Sequence, residues 1–330
     1  MPILSLLLDL LLGDPPNRFH PTAWMGNFIG WLMRFRPRGN HFAELTFGVF
    51  ILFAGITLSI IAGLAISHLI PFTLNYALHR NFLSEIKGTH YELLVSWVQI
   101  LFIALALKLT ISLRGLNRAA REVQTALEAE NLPEARRLLS WHLVSRETSQ
   151  LDGSQISAAA IESVAENASD GIVAPLFFFA VGGLPAAFAY RFINTADSML
   201  GYHDTEREWL GKIPARLDDL LNFIPARLTG LSIILSAPFC GANISQAWRI
   251  LWRDASQTAS PNAGIPMSAM AGALGVELEK VDHYALGKGL RAPVSTDLAR
   301  ARVILFTAVI LSAFGLSLSS FILHLLSFLP

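Results

Sequence analysis

Residues 42–71, FAELTFGVFILFAGITLSIIAGLAISHLIP, contain one acid, Glu44, and neither lysine nor arginine. A helix of this length rises past the roughly 30 Å hydrocarbon core of a bilayer, so the stretch predicts a membrane span with some tilt. Two further stretches repeat the signal. Residues 92–113 (ELLVSWVQILFIALALKLTISL) carry Trp97 near one end and Lys108, able to snorkel, near the other. Residues 303–329 (VILFTAVILSAFGLSLSSFILHLLSFL) form the third. Two blocks are ambiguous: 172–190 is interrupted by Pro175, Gly182, Gly183 and Pro185, and 228–242 is only 15 residues long.

The composition of the 330 residues agrees with a membrane protein: 53% are apolar and 15% charged, with a mean hydropathy of +0.47. The amino-terminal PILSLLLDLLLGDPP lacks a basic leader, is broken by Asp9 and precedes no small-x-small cleavage site, so it does not read as a signal peptide. A single cysteine, Cys240, excludes an intrachain disulfide and a multi-cysteine zinc site. Basic and acidic residues balance at 25 each, so no basic excess points to nucleic acid.

Lysine and arginine concentrate in 14–41 (four), 108–171 (seven), 191–227 (five) and 243–302 (seven), against two in 72–91. The positive-inside rule then places 72–91 outside and 14–41 and 108–171 in the cytoplasm. Full crossings by both 172–190 and 228–242 would leave the basic 191–227 external. The 172–190 block therefore reads as a re-entrant or peripheral helical hairpin. Neither internal repeats nor alternating strand patterns occur. The expected fold is all-α and polytopic, one membrane domain over 1–330 with roughly four to six membrane-associated segments.

The polar segments carry the chemistry. In AIESVAENASDG (160–171), Glu162, Glu166 and Asp170 fall within roughly 80° on a helix, and Ser163 and Asn167 extend that face. Ile161, Val164, Ala165 and Ala168 form the opposite, packed face. Like charges at this spacing cost a helix a few tenths of a kcal/mol. An ordinary acidic run is a solvated face. Asp152 or Ser154 is the expected start of this helix, and Asp170–Gly171 its end. Upstream, Arg136, Arg137 and Arg146 are potential anion clamps or interfacial arginines.

In YRFINTADSMLGYHD (190–204), Asn194, Asp197 and Ser198 share one face of an otherwise apolar helix. ARLDDLLNFIPARL (215–228) gathers Arg216, Asp218, Asp219, Asn222 and Arg227, and an Arg216–Asp219 ion pair is the structural alternative there. SPNAGIPMSAMAGALG (260–275) begins with a turn containing Ser260, Asn262 and Gly264. Its small residues then permit close helix packing or close approach of a ligand. In DLLLGDPPNRFHP (9–21), Asp14 reads as a cap, a turn-former or a cation ligand. Carboxylates and asparagines suit a hard cation, and arginines suit phosphates. There is no Walker A sequence, HExxH, GxSxG or dinucleotide fingerprint.

Together ESVAEN..DG..APLF (162–177), INT.DSM.GY (193–202), RLDD..N.IPARL (216–228) and SPNAG.P..AMAGALG (260–275) resemble the adenosylcobinamide-phosphate synthase family, called CbiB or CobD, in order and spacing. Departures are Glu147 in SRETSQLD, where aspartate is usual, and Ile265 and Met267, where tryptophan and often glutamate are expected. The resemblance implies a multi-pass inner-membrane enzyme with its site facing the cytoplasm. It implies joining of adenosylcobyric acid, as substrate, to aminopropanol or its O-phosphate in an ATP- and Mg²⁺-dependent amide-forming step. Other membrane enzymes of cobalamin assembly are possible partners.

At the motif positions, Mg²⁺ falls to Glu162, Glu166, Asp170 and Asp197. Phosphate clamping falls to Arg146, Arg216 and Arg227, and orientation to Asn167, Asn194 and Asn222. Asp218 or Asp219 is the candidate base, and Ser260, Asn262 and Gly264 are substrate contacts. The small-residue helix after SPNAG is the expected seat of the corrin. A membrane sensor similar to the AmpE proteins and a corrinoid transporter are the alternatives.

Overall fold

The computed structural model describes residues 1–69, 89–201 and 208–326. Most of the 72–91 connection, Tyr202, and the last residues of the 303–329 span lie outside these residues. Helices α1 (Pro2–Leu12), α2 (Pro21–Leu32), α3 (His41–Leu64), α4 (Thr89–Lys108), α5 (Leu113–Glu128) and α6 (Leu132–His142) come first. They are followed by α7 (Gly153–Ala168), α8 (Ala174–Leu200), α9 (Glu208–Ser236), α10 (Ile244–Asp254), α11 (Gly264–Leu274) and α12 (Ser295–Leu326). One antiparallel hairpin, β1 (Leu278–Lys280) with β2 (Tyr284–Leu286), precedes α12. Strands of three residues are too short to display alternation, which is why the sequence reading contains none.

Among the described residues, five helical runs are long and apolar enough to cross a membrane. They are His41–His68, Val95–Glu128, Gly153–Leu200, Glu208–Cys240 and Ser295–Ser319. The protein is thus a polytopic all-α membrane protein. The short block at 228–242 proves to be the end of a longer helix, because the polar residues before it continue α9.

The chain forms two compact units, each assembled from separated segments: unit 1 is Met1–Ile111, Pro175–Asp218 and Leu316–Pro330, and unit 2 is Ser112–Ala174 and Asp219–Gly315.

In unit 1 the helix through 172–190 reverses. Gly182 and Gly183 leave helical geometry, with Gly183 at φ 67, a left-handed value that favours glycine. Phe178 and Tyr190 stack with ring centroids 4.9 Å apart. Twelve residues of straight helix would separate them by roughly 18 Å. The expected helical hairpin is therefore present. Helix α3 meets its second arm through glycines on one face: a Cβ on Gly55 would overlap the Phe192 ring, and one on Gly63 would stand 2.5 Å from the Pro185 backbone.

Lys108 does not snorkel. It is buried, donates to the Gly13 carbonyl and stands 3.9 Å from Asp14, which also has His20 at 3.7 Å. The GDPP turn leaves an acceptor and a carboxylate there, and Lys108 serves as their cation. His20 caps α2, its Nδ1 accepting from Thr22 N at 3.2 Å.

Unit 2 is organised around α7. Asp152 opens it with a capping box, exchanging hydrogen bonds with Gln155. The helix is buried along both faces, from Ile156 to Ala165. Asp170–Gly171 does not end it; the chain widens into a π-helical turn over Ser169–Val173 and runs on into α8. Helix α11 is buried against α10 and α7 except at Ile265, which is half-buried: a Cβ on Gly272 would stand 2.6 Å from Ala247 Cα and 2.9 Å from Ile250 Cβ. The small residues there are consumed by helix packing, so this helix offers no open seat for a corrin.

Candidate functional site

Two polar clusters stand out in unit 2. The first is built on α7. Glu162 is turned inward, its side chain 7% exposed, and the solvated reading of the acidic face fails at this residue. Arg146 Nη2 stands 3.4 Å from Glu162 Oε2, while Oε1 is buried without a hydrogen-bond partner. A buried carboxylate held by one long arginine contact and a tyrosine hydroxyl is costly unless something else satisfies it.

Arg146 leads a turn tied by Glu147, whose carboxylate accepts from the Thr148 and Ser149 backbone N–H groups at 3.2 and 3.0 Å. The Ser149 bonds hold the Glu147 carboxyl below the ordinary glutamate range. The other two arginines are otherwise engaged: Arg136 donates to Leu151 O at 2.8 Å, and Arg137 pairs with Glu134 at 2.7 Å.

Two members of this cluster escape sequence reasoning. Tyr284 faces Glu162 with its hydroxyl, and Lys280 adds a positive charge. Burial, together with the negative charges of Glu162 and Glu166, pushes the Tyr284 hydroxyl above its ordinary value, so it stays protonated and serves as a donor. Both come from the hairpin, where Lys280 and Tyr284 are cross-strand partners around a turn with Asp282 at φ 61. A charged EKVDHY stretch with a left-handed Asp is a recognisable turn signal, but nothing local says which carboxylate it meets.

Along α7, Ser163 donates to Leu143 O at 2.8 Å, and the Asn167 amide donates to Ser163 O and Oγ at 2.9 and 3.2 Å. Glu166 and Asp170 are half-buried.

The second cluster joins α9 to the SPNAG turn. Ser260 Oγ donates to Asp219 Oδ1 at 3.0 Å, and Asn262 Nδ2 donates to Asp219 O at 2.6 Å. Arg227 Nη1 donates to Phe223 O at 2.7 Å and to Asn262 Oδ1 at 3.3 Å, with its guanidinium 3.5 Å over the Phe223 ring. The side chain that binds Asp219 is thus Ser260. Gly264 lies against Ala255 O with no space for a Cβ, so its bareness serves chain packing. Asn222 is buried.

In unit 1, Arg191 Nη1 donates to Asn194 Oδ1 at 3.4 Å and Asn194 Nδ2 to Asp218 Oδ1 at 3.3 Å. Asp197 is half-buried one turn beyond Asn194, and Arg216 is exposed. Among the described residues, no group of three or more His, Cys, Asp or Glu side chains is gathered to hold a metal ion. The donor set fits the weaker requirement of Mg²⁺, which takes one or two carboxylates and completes its shell with water and phosphate oxygens.

Buried polar groups of this kind, with five apolar helical runs among the described residues, define a polytopic membrane protein with a polar site. The family model described as CobD/Cbib protein matches residues 2–309. The cobalamin biosynthesis protein CobD of Dehalococcoides mccartyi is 41% identical over 289 residues, covering 88% of this chain and 86% of that protein. The probable CobD of Methanothermobacter thermautotrophicus is 41% identical, covering 86% and 85%, and the CobD of Klebsiella pneumoniae 37%, covering 89% and 86%. No solved structure matches. The chain belongs to the CobD/CbiB family of cobalamin biosynthesis proteins.

Proposed function

We propose that this chain is an ATP- and Mg²⁺-dependent ligase that joins a corrin propionate of adenosylcobyric acid to aminopropanol or its O-phosphate. A carboxylate and an ammonium do not condense at neutral pH. Transfer of the γ-phosphoryl group from ATP to the carboxylate oxygen breaks the bond to the β–γ bridging oxygen, releases ADP and makes an acyl phosphate. The ammonium gives a proton to a base, its nitrogen attacks the acyl carbon, the C–N bond forms, and the C–O bond to phosphate breaks with phosphate leaving.

The observation that carries the reading is Glu162, a buried carboxylate whose Oε1 has no partner, held between Arg146 and the Tyr284 hydroxyl. Such an oxygen is one that a cation would satisfy. Mg²⁺, when bound, neutralises phosphate charge. Glu162 and Glu166, one turn apart on α7, would supply its one or two carboxylates; the four-carboxylate set with Asp170 and Asp197 is not gathered among the described residues. Within unit 2, Arg146 and Arg227 are the anion clamps, Asn167 and Asn222 orient substrate or metal-bound water, and Asp219 takes the ammonium proton. The site is assigned to the cytoplasmic side of the inner membrane.

The test supplies purified protein in detergent with adenosylcobyric acid, Mg-ATP and either amine, and weighs the corrinoid product. A mass gain of one amide supports the reading and names the amine. Absence of product with both amines, despite bound corrinoid, contradicts it.

A further inference from the structure

A groove of about 730 Å³ opens in unit 2 beside the second cluster. Its floor is apolar, formed by Leu231, Ile234, Leu251 and Ile265. Trp248 and Trp252 form a wall and remain 48% and 72% exposed, their rings edge to face at 5.9 Å. Exposed tryptophans over an apolar floor are a surface that gains from being covered.

Arg227 is the one charged residue lining this groove. It makes no ion pair among the described residues. Its hydrogen bonds to Phe223 O and Asn262 Oδ1 both use Nη1, leaving Nε and Nη2 for an anion. A guanidinium with two parallel donors matches a carboxylate. Ser256 and Thr258 put hydroxyl groups on the lining. The groove is thus wide and apolar, with one unpaired cation at the end where the Asp219–Ser260–Asn262 cluster begins.

We propose that this groove, rather than the small-residue face of α11, seats the corrin macrocycle against Trp248 and Trp252, with the propionate that is to be amidated held by Arg227. The assignment rests on the ligase reading above. The volume lies within the range of ligand pockets, enough to take one face and edge of a macrocycle that stays partly open to the outside. A flat ring with polar arms matches an apolar slab with a charged end, whereas an acyl chain by itself has no use for the cation.

The test is equilibrium dialysis of cobyric acid against the purified full chain in detergent, with neither ATP nor amine, so that binding is read without turnover. Ala259→Trp fills the groove at an exposed position, Trp252→Ala strips its wall, and Arg227→Ala removes the cation. Each is expected to weaken binding at least tenfold, while Trp141→Ala, exposed and outside the groove, leaves it unchanged. Wild-type affinity in both Ala259→Trp and Trp252→Ala overturns the groove and leaves the ligase reading standing. No binding by the wild-type chain overturns the corrinoid reading and the groove together. Co-purified phospholipid lost from Trp252→Ala, with cobyric acid binding intact, assigns the groove to lipid instead and overturns the proposal.

Discussion

Helices α7 and α11 both suggest ligand surfaces in the sequence, and they end differently. In α11 a run of small residues offers a bare face, and α10 occupies that face completely. In α7 a row of acids suggests a solvated face, yet Glu162 is buried with one oxygen unsatisfied. Bare surface is readily filled by a neighbouring helix, because close approach gains dispersion and loses nothing. A buried charge cannot be satisfied by packing, and its cost points to something the fold alone does not supply. The polar helix is therefore the better guide to function than the open-looking one.

The largest expected effect on stability sharpens the packing half of this contrast. Gly272→Val forces α10 away from α11 and lowers stability by about 3 kcal/mol, the scale of overpacking a tight core. Thermal unfolding in detergent reads it, and an unchanged melting temperature would mean that the α11 face is open after all.

A smaller effect belongs to the polar half. Tyr284→Phe removes a donor to the Glu162 carboxylate, worth about 1.5 kcal/mol, so the rate of amide formation falls roughly tenfold with the fold intact. A wild-type rate would detach the hairpin from the site.

The smallest separates structural from functional carboxylates. Asp254 is buried, but unlike Glu162 it is fully engaged, accepting from Arg253 at 2.6 and 2.7 Å, from Gln257 at 2.9 Å and from Gly287 N at 2.6 Å. Burial alone would raise its pKa, but the Arg253 and Gly287 hydrogen bonds outweigh burial and hold the carboxyl below its ordinary value. The stabilisation is present above the ordinary aspartate pKa and is lost as pH falls through the lower folded value. Asp254→Asn is expected to cost about 1 kcal/mol at neutral pH and to flatten the loss of stability below about pH 4. Equal acid sensitivity in the two proteins would contradict this.

Much of the molecule is legible in its sequence, for identifiable reasons. Long apolar blocks announce spans because a bilayer fixes helix length, and Gly182–Gly183 announces a reversal because only glycine takes Gly183's conformation cheaply. The capping box at Asp152 is local chemistry. What stays hidden is long-range. The partners of Glu162 include a tyrosine on a distant three-residue strand, and the occupation of α11 by α10 depends on which helix arrives at its bare face. Lys108 reads as an interfacial snorkel from its position alone; only the fold shows Gly13 and Asp14 waiting for it.

The central claim is that Glu162 is kept buried for chemistry and at the expense of stability. Glu162→Gln tests it, because the variant keeps the shape and removes the charge. Amide formation and thermal unfolding are measured on the same purified sample with adenosylcobyric acid, Mg-ATP and the amine. The account predicts a rate loss of roughly 10³-fold, about 4 kcal/mol of transition-state stabilisation, with a melting temperature equal to or above wild type. Near-wild-type turnover, or activity and fold lost together, would contradict it.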